Sequence, residues 1–219
     1  MAENTQNLID TSEFARGYRT RFHGGASDRT WMPDNVTAVI HAVATDRVLI
    51  LHERKPGMVL RFAEDYAPER PHSIEVDVAT GPPIFLAEDE VLTLPSGSIK
   101  NNWEGKPDNI DALVYEESPE QAVLRQLKGE TGKYLEDVNI IKLGGTFVKP
   151  ANMTTFDAYF AIQLPSEFVP ATEGIDPTIK GGHWVPFDLA LQLVDSGLIN
   201  HDPAAQALMR YERYLRKNG

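Results

Sequence analysis

Residues 118–132, SPEQAVLRQLKGETG, carry helix signals at both ends, and they constrain the fold more than any other segment. Ser118 is a favoured N-cap, Pro119 suits the first helical position, and Gln121 completes a capping box. Gly132 supplies the stop. Ala122, Val123, Leu124 and Leu127 give the helix an apolar side, which must be covered by another layer. The segments upstream are strand-like. Residues 36–43 and 48–52 are β-rich runs around the polar turn Thr45-Asp46-Arg47, the pattern of a hairpin. Residues 91–94 form another short apolar run, closed by Pro95-Ser96-Gly97.

Downstream, residues 138–143, 146–148, 155–164 and 183–185 read as further strands, with Ala158, Phe160 and Ile162 on one face. Asp188 is expected to cap a helix over residues 189–195 that ends at Gly197. A last helix starts at Asp202-Pro203 and runs to about Arg216, with Ala204, Ala207, Leu208, Tyr211 and Leu215 at helical spacing. Between residues 53 and 90 prolines interrupt every periodicity, and only residues 74–78 alternate as an edge strand does. Residues 100–112 read as an exposed loop. The aromatic and basic run at residues 14–22 reads as a strand or arm. Strands with interspersed helices point to a mixed α/β domain, and 219 residues suffice for one such domain. The expected organisation is an arm or extra strand over residues 1–30 and one domain over 31–219.

Composition excludes several classes. With 32 acidic against 21 basic residues the formal charge is −11, which repels nucleic-acid backbones and anionic lipid. A small phosphorylated ligand stays compatible, because a local cation can hold it. There is no cysteine, so thiolate metal sites and cysteine nucleophiles are absent, and a reducing, cytoplasmic location is expected. No apolar run reaches membrane-spanning length, and the first residues lack the features of a secretory signal. His41, His52, His72, His183 and His201 show no zinc-ligand spacing. Serine-hydrolase elbows and P-loops do not occur.

The segment from Leu94 to Gly132, opening with LPSG and closing with EESPEQAVLRQLKGETG, resembles the Nudix box, G-x5-E-x7-R-E-U-x-E-E-x-G-U with U aliphatic. Glu117 and Arg125 stand at the E-x7-R spacing. Leu127, Glu130 and Gly132 match the aliphatic residue, the second of the paired glutamates and the closing glycine. Gly97 matches the opening glycine, with nineteen residues before Glu117 in place of five, so a loop insertion over about residues 98–112 is implied. The hairpin at residues 36–54, the strands at 138–164 and the segment WVPFDLALQLVDSG at 184–197 resemble the ADP-ribose pyrophosphatase-like branch of the same superfamily.

The resemblance implies a Nudix-type α/β/α sandwich with a mixed sheet. It also implies hydrolysis of a nucleoside diphosphate linked to another moiety, with Mg²⁺ or Mn²⁺. Glu117, Arg125 and Glu130 would then be catalytic, Gly97, Glu117 and Glu130 would face the metal, and Arg54 would lie near substrate. A homodimer is a further implication. The physics of the box is plain: residues three and four apart share a helix face, and carboxylates there hold hard cations against a diphosphate. An arginine one turn back would orient a carboxylate through paired hydrogen bonds.

This chain departs at three positions. Gln126 and Gly129 replace box glutamates, and Lys133 replaces an aliphatic residue. Glutamine can neither take a proton at neutral pH nor supply charge to a metal. The departures leave open a second expectation: a binding or regulatory module that keeps the nucleotide cleft without turnover. Glu173, in the polar segment ATEGIDP, stands where some members carry a late catalytic glutamate, and is read here as a loop residue.

Overall fold

A computed structural model describes residues 6–11, 16–22, 25–31, 34–55, 73–79, 82–87, 89–102, 114–147 and 155–218. The chain opens with β1 (Gln6–Thr11), β2 (Arg16–Phe22) and β3 (Gly25–Trp31), an antiparallel sheet in that order. The run expected as a strand or arm supplies β2, while residues 14 and 15 lie outside the described residues. The expected hairpin forms from β4 (Asn35–Ala42) and β5 (Arg47–Arg54). Asp46 closes its turn at φ +51, a conformation that short polar side chains tolerate, and its Oδ1 lies 3.0 Å from His41 Nε2.

The short strands β6 (Ser73–Val76) and β7 (Ile84–Ala87) pair with each other. β8 (Glu90–Thr93) pairs with β5, and β9 (Ser96–Ser98) with β4. The first helix, α1 (Pro119–Thr131), starts and stops where its caps dictate. Ser118 N–H donates to Gln121 Oε1 at 2.8 Å and Gln121 N–H to Ser118 Oγ at 3.2 Å, the reciprocal pair of a capping box. Gly132 then takes φ +70, and its N–H bonds to the Lys128 carbonyl.

β10 (Ile140–Phe147) joins the two strands expected at 138–143 and 146–148 into one, passing through Gly144 at φ +88. Val148 lies outside the described residues. β11 (Phe156–Leu164) follows as expected. β12 (Ile179–Pro186) is longer than the expected 183–185. Its glycines hid the extension, and they are needed for close packing: a Cβ on Gly182 would stand 2.9 Å from Pro170 and 3.2 Å from Leu49. α2 (Phe187–Asp195) begins one residue before Asp188, so Asp188 is not its cap. Pro186 holds that place without a side-chain hydrogen bond, because β12 runs directly into the helix. α3 (Asp202–Asn218) completes the chain.

The central sheet has the order β10-β11-β4-β5-β12, with β8 and β9 added beside β5 and β4. The chain divides into two compact units: residues 1–36, 97–122 and 144–158, and residues 37–96, 123–143 and 159–219. In the second unit, Val39, Val48, Ile50, Tyr159 and Ala161 share an apolar core with Phe187, Ala190 and Leu193 of α2 and Ala204, Leu208 and Tyr211 of α3. Their strand neighbours Ala38, Ile40, Leu49, Leu51, Phe160 and Ile162 point to the opposite face by strand alternation. They are buried too, as are Val123 and Leu127 of α1. β11 is thus covered on both faces, where the sequence showed one. Each large aliphatic side chain so buried contributes roughly 1.5–3 kcal/mol. A sheet buried on both faces is the middle layer of an α/β/α sandwich, and the chain is of the mixed α/β class. Among the described residues no helix is long and apolar enough to cross a membrane.

Candidate active site

The second unit gathers charge around the C-terminal end of α1. Glu130, in the last turn, is only 9% exposed. Its Oε2 accepts the N–H of Ser96 at 3.1 Å, so the end of the helix is joined to the LPSG turn. The turn is tightened by Thr131, whose Oγ1 donates to the Leu127 carbonyl at 2.6 Å. Carbonyls that a helix end leaves without partners are met here by a distant loop. Ala171 N–H donates to Thr131 O, and Asp176 N–H to Gly129 O, each at 2.8 Å.

That loop is tied in turn to β5. Asp176 Oδ1 accepts both the N–H and the hydroxyl of Thr178, and Thr178 O accepts the N–H of Arg54 at 2.8 Å. In register with Ile179, Glu53 stands at the end of β5, and its Oε2 lies 3.2 Å from Lys55 Nζ. Three carboxylates therefore act on one another here. Burial holds the Glu130 carboxyl well above the usual range, and the charges of Glu53 and Asp176 push the same way. The Ser96 amide and Lys55 oppose that shift. Glu53 is raised as well, by burial first, with Lys55 acting against it and Asp176 adding to it.

Lys55 also meets His201, the residue before α3. Its Nζ lies 3.4 Å from His201 Nε2, and His201 Nδ1 lies 3.0 Å from Thr93 Oγ1. Burial, assisted by the Lys55 charge, holds the ring pKa down to about 4, so His201 is neutral at physiological pH. Nearby, His52 Nε2 and Glu90 Oε2 are 2.9 Å apart, and Glu90 also accepts the Ala87 N–H at 3.0 Å. Burial works to raise the Glu90 carboxyl, but these two partners outweigh it and keep the group below its usual value.

The residues singled out in the sequence are distributed as follows. Arg125 and Gln126 are half-buried on α1, and Gly129 is exposed, with open space where a Cβ would stand. Arg54 lies between Glu53 and Lys55 in sequence but is exposed, with Nε bonded to Asp89 Oδ2 at 2.5 Å. Glu173 is exposed in the 171–178 loop, whose Asp176 is the acid that acts on Glu130. Gly97 and Glu117 belong to the first unit. Gly97 lies in β9, and Glu117 Oε1 accepts the Lys100 N–H at 2.8 Å. In that unit Asn102 N–H bonds to Val114 O and Glu116 N–H to Lys100 O, both at 2.9 Å. Asn101 pairs with Tyr115, so residues 100–102 and 114–116 are joined like rungs. Most of the expected 100–112 loop lies outside the described residues.

Sequence reasoning did not select Glu53, Lys55, Asp176 or His201. The alternation of HERK at the end of a strand was the available signal, since it separates Glu53 from Arg54. Among the described residues no three His, Asp or Glu side chains are placed to share one ion. A metal held by the protein alone does not fit this donor set as it stands, with Gln126 neutral, Gly129 bare and the Lys55 ammonium already beside Glu53. An ion that brings phosphate oxygens with it does fit, because Mg²⁺ commonly binds through one or two carboxylates plus substrate phosphates.

These features define a mixed α/β fold, consistent with the Nudix fold. A solved structure described as an ADP compounds hydrolase is similar to the chain at a TM-score of 0.58 and 15% identity, covering 100% of this chain and 97% of that one. The E. coli dihydroneopterin triphosphate pyrophosphohydrolase is similar over 82% of this chain and 94% of its own, with a TM-score of 0.48 and 15% identity. No protein-family model matches the chain, and no curated protein matches it by sequence.

Proposed function

We propose that the protein is a Nudix-type hydrolase that cleaves a phosphoanhydride bond in a nucleoside diphosphate linked to another moiety. ADP-linked compounds are the first class to test, by analogy with the structurally similar hydrolase. The observation that carries the reading is the bond from the Ser96 amide to Glu130, which joins the LPSG turn to the end of the box-like helix. Glu130 would hold a Mg²⁺ or Mn²⁺ that arrives on the substrate phosphates. Gly97 and Glu117 keep the same assignment, and Arg125 its orienting role, from the sequence resemblance. Bound there, the ion would polarise phosphorus and activate water. We also assign Arg54 to substrate, and expect a cytoplasmic protein that forms homodimers, which light scattering would test.

The decisive assay is a set of nucleoside-diphosphate compounds with Mg²⁺ or Mn²⁺, read by both product release and thermal shift. Turnover that Glu130→Gln abolishes supports the hydrolase. Turnover that Glu130→Gln leaves unchanged refutes the site. The neutral Gln126 and bare Gly129 favour a second reading, a nucleotide-binding module without turnover. Thermal shifts without product would select it, since loss of a general base costs on the order of 10²–10⁴ in rate.

A further inference from the structure

Glu53 and Glu130 both feel the charge of a cation that belongs to the chain. Lys55 Nζ is 3.2 Å from Glu53 Oε2 and 3.4 Å from His201 Nε2, and its side chain is 21% exposed. An ammonium only donates, so His201 Nε2 must accept, which puts the ring proton on Nδ1. That N–H then donates to Thr93 Oγ1 at 3.0 Å, leaving the threonine hydroxyl to donate to the Leu94 carbonyl at 3.5 Å. The backbone that carries the ring is fixed as well, because the His201 carbonyl accepts the N–H groups of Ala204 and Ala205 in the first turn of α3. The ammonium is therefore clamped from two sides. One clamp is a carboxylate of the cluster, and the other is a neutral ring that adds no competing charge.

We propose that Lys55, clamped by Glu53 and His201, is the resident cation of this carboxylate cluster and excludes a free divalent ion from it. His201 is the positioning residue that holds the ammonium in place. A divalent ion entering alone would meet a like charge at close range, and displacing Lys55 would break both of its polar contacts. The inference goes beyond the proposed hydrolysis and needs no turnover, so it stands or falls on metal binding alone.

The test is Mn²⁺ titration of the full chain without nucleotide, by calorimetry and by the electron paramagnetic resonance signal of free Mn²⁺. Lys55→Gln, which keeps length and polarity but removes the charge, should raise Mn²⁺ affinity by at least about tenfold. Lys55→Arg, which keeps the charge, should not. His201→Gln leaves the ammonium unclamped and should give a smaller rise, and Glu130→Gln added to Lys55→Gln should remove the gain. If Lys55→Gln does not fold, as judged by its melting curve, His201→Gln carries the decision alone. The proposal is overturned if the parent binds Mn²⁺ as tightly as the folded Lys55→Gln, if Lys55→Arg gains equally, if the gain survives Glu130→Gln, or if His201→Gln gains nothing.

Discussion

Replacing Glu130 by glutamine should remove a loss of stability that the protein suffers as pH rises, although it deletes the most deeply buried acid of the site. The carboxyl is raised well above its ordinary 4.5, first by burial and then by the charges of Glu53 and Asp176. Above pH 4.5 the unfolded chain has released this proton while the native protein keeps it. In that window each rise in pH favours unfolding, by up to about 1.4 kcal/mol per pH unit until the native group itself titrates. The contribution is thus fully present in acid and lost as pH rises. Glutamine keeps an oxygen for the Ser96 N–H but carries no charge, so this slope disappears. The new amide group can add a fixed offset of roughly 1–3 kcal/mol if its N–H groups go unpaired, and that offset does not depend on pH. Urea unfolding of both proteins at pH 5, 6, 7 and 8 separates the two effects. The difference in stability should move in favour of Glu130→Gln as pH rises from 5 and level off where the native carboxyl titrates, while the slope from Glu53 cancels between them. Parallel curves, or a variant that loses ground in alkali, would refute the reasoning.

Other outcomes follow from the same geometry. His201 should give stability an acid limb: from pH 6.5 down to about 4 the unfolded chain binds a proton that the buried ring refuses, a loss of about 3 kcal/mol that His201→Gln should flatten. Gly129→Ala meets open space on a helix and should add up to about 1 kcal/mol, or about 2–4 °C in Tm. Gly132→Ala should lose roughly 1–2 kcal/mol from its φ of +70 alone, and more because the new Cβ would stand 2.7 Å from that of Ala171. Gln126→Glu with Gly129→Glu should bind Mn²⁺ more tightly than the parent by calorimetry, since positions 126, 129 and 130 share a helix face. Ser118→Ala should cost about 1 kcal/mol by thermal melting, through loss of the cap.

The parts of the structure legible in the sequence are those whose signals are local. Ser118 and Gln121 are three residues apart, and the β4–β5 turn lies between two apolar runs, so both could be placed from neighbours alone. Asp188 misled for a physical reason. A capping residue is expected where a loop enters a helix, but here β12 continues into α2 without a loop, and Phe187 is drawn into the core against Tyr211. β7 was hidden by the flanking prolines, and the first half of β12 by glycines that serve close packing. The charged cluster was illegible because Glu53, Asp176, Glu130 and His201 come from separate elements, with no fixed spacing between them. The resemblance drew attention to Arg54, whereas the neighbours on either side of it, Glu53 and Lys55, are the ones whose charges act on the buried Glu130.

The two ends of α1 are completed at different times in the life of the chain. The first turn is closed by Ser118 and Gln121, residues that leave the ribosome together with it. The last turn must wait until β10 and β11 have been synthesised, because the amides that meet its carbonyls belong to Ala171 and Asp176. Until then the carbonyls of Gly129 and Thr131 lack these partners, so the end of the helix that carries Glu130 depends on a distant segment while its start does not. The site is therefore assembled only after residue 176 has been made.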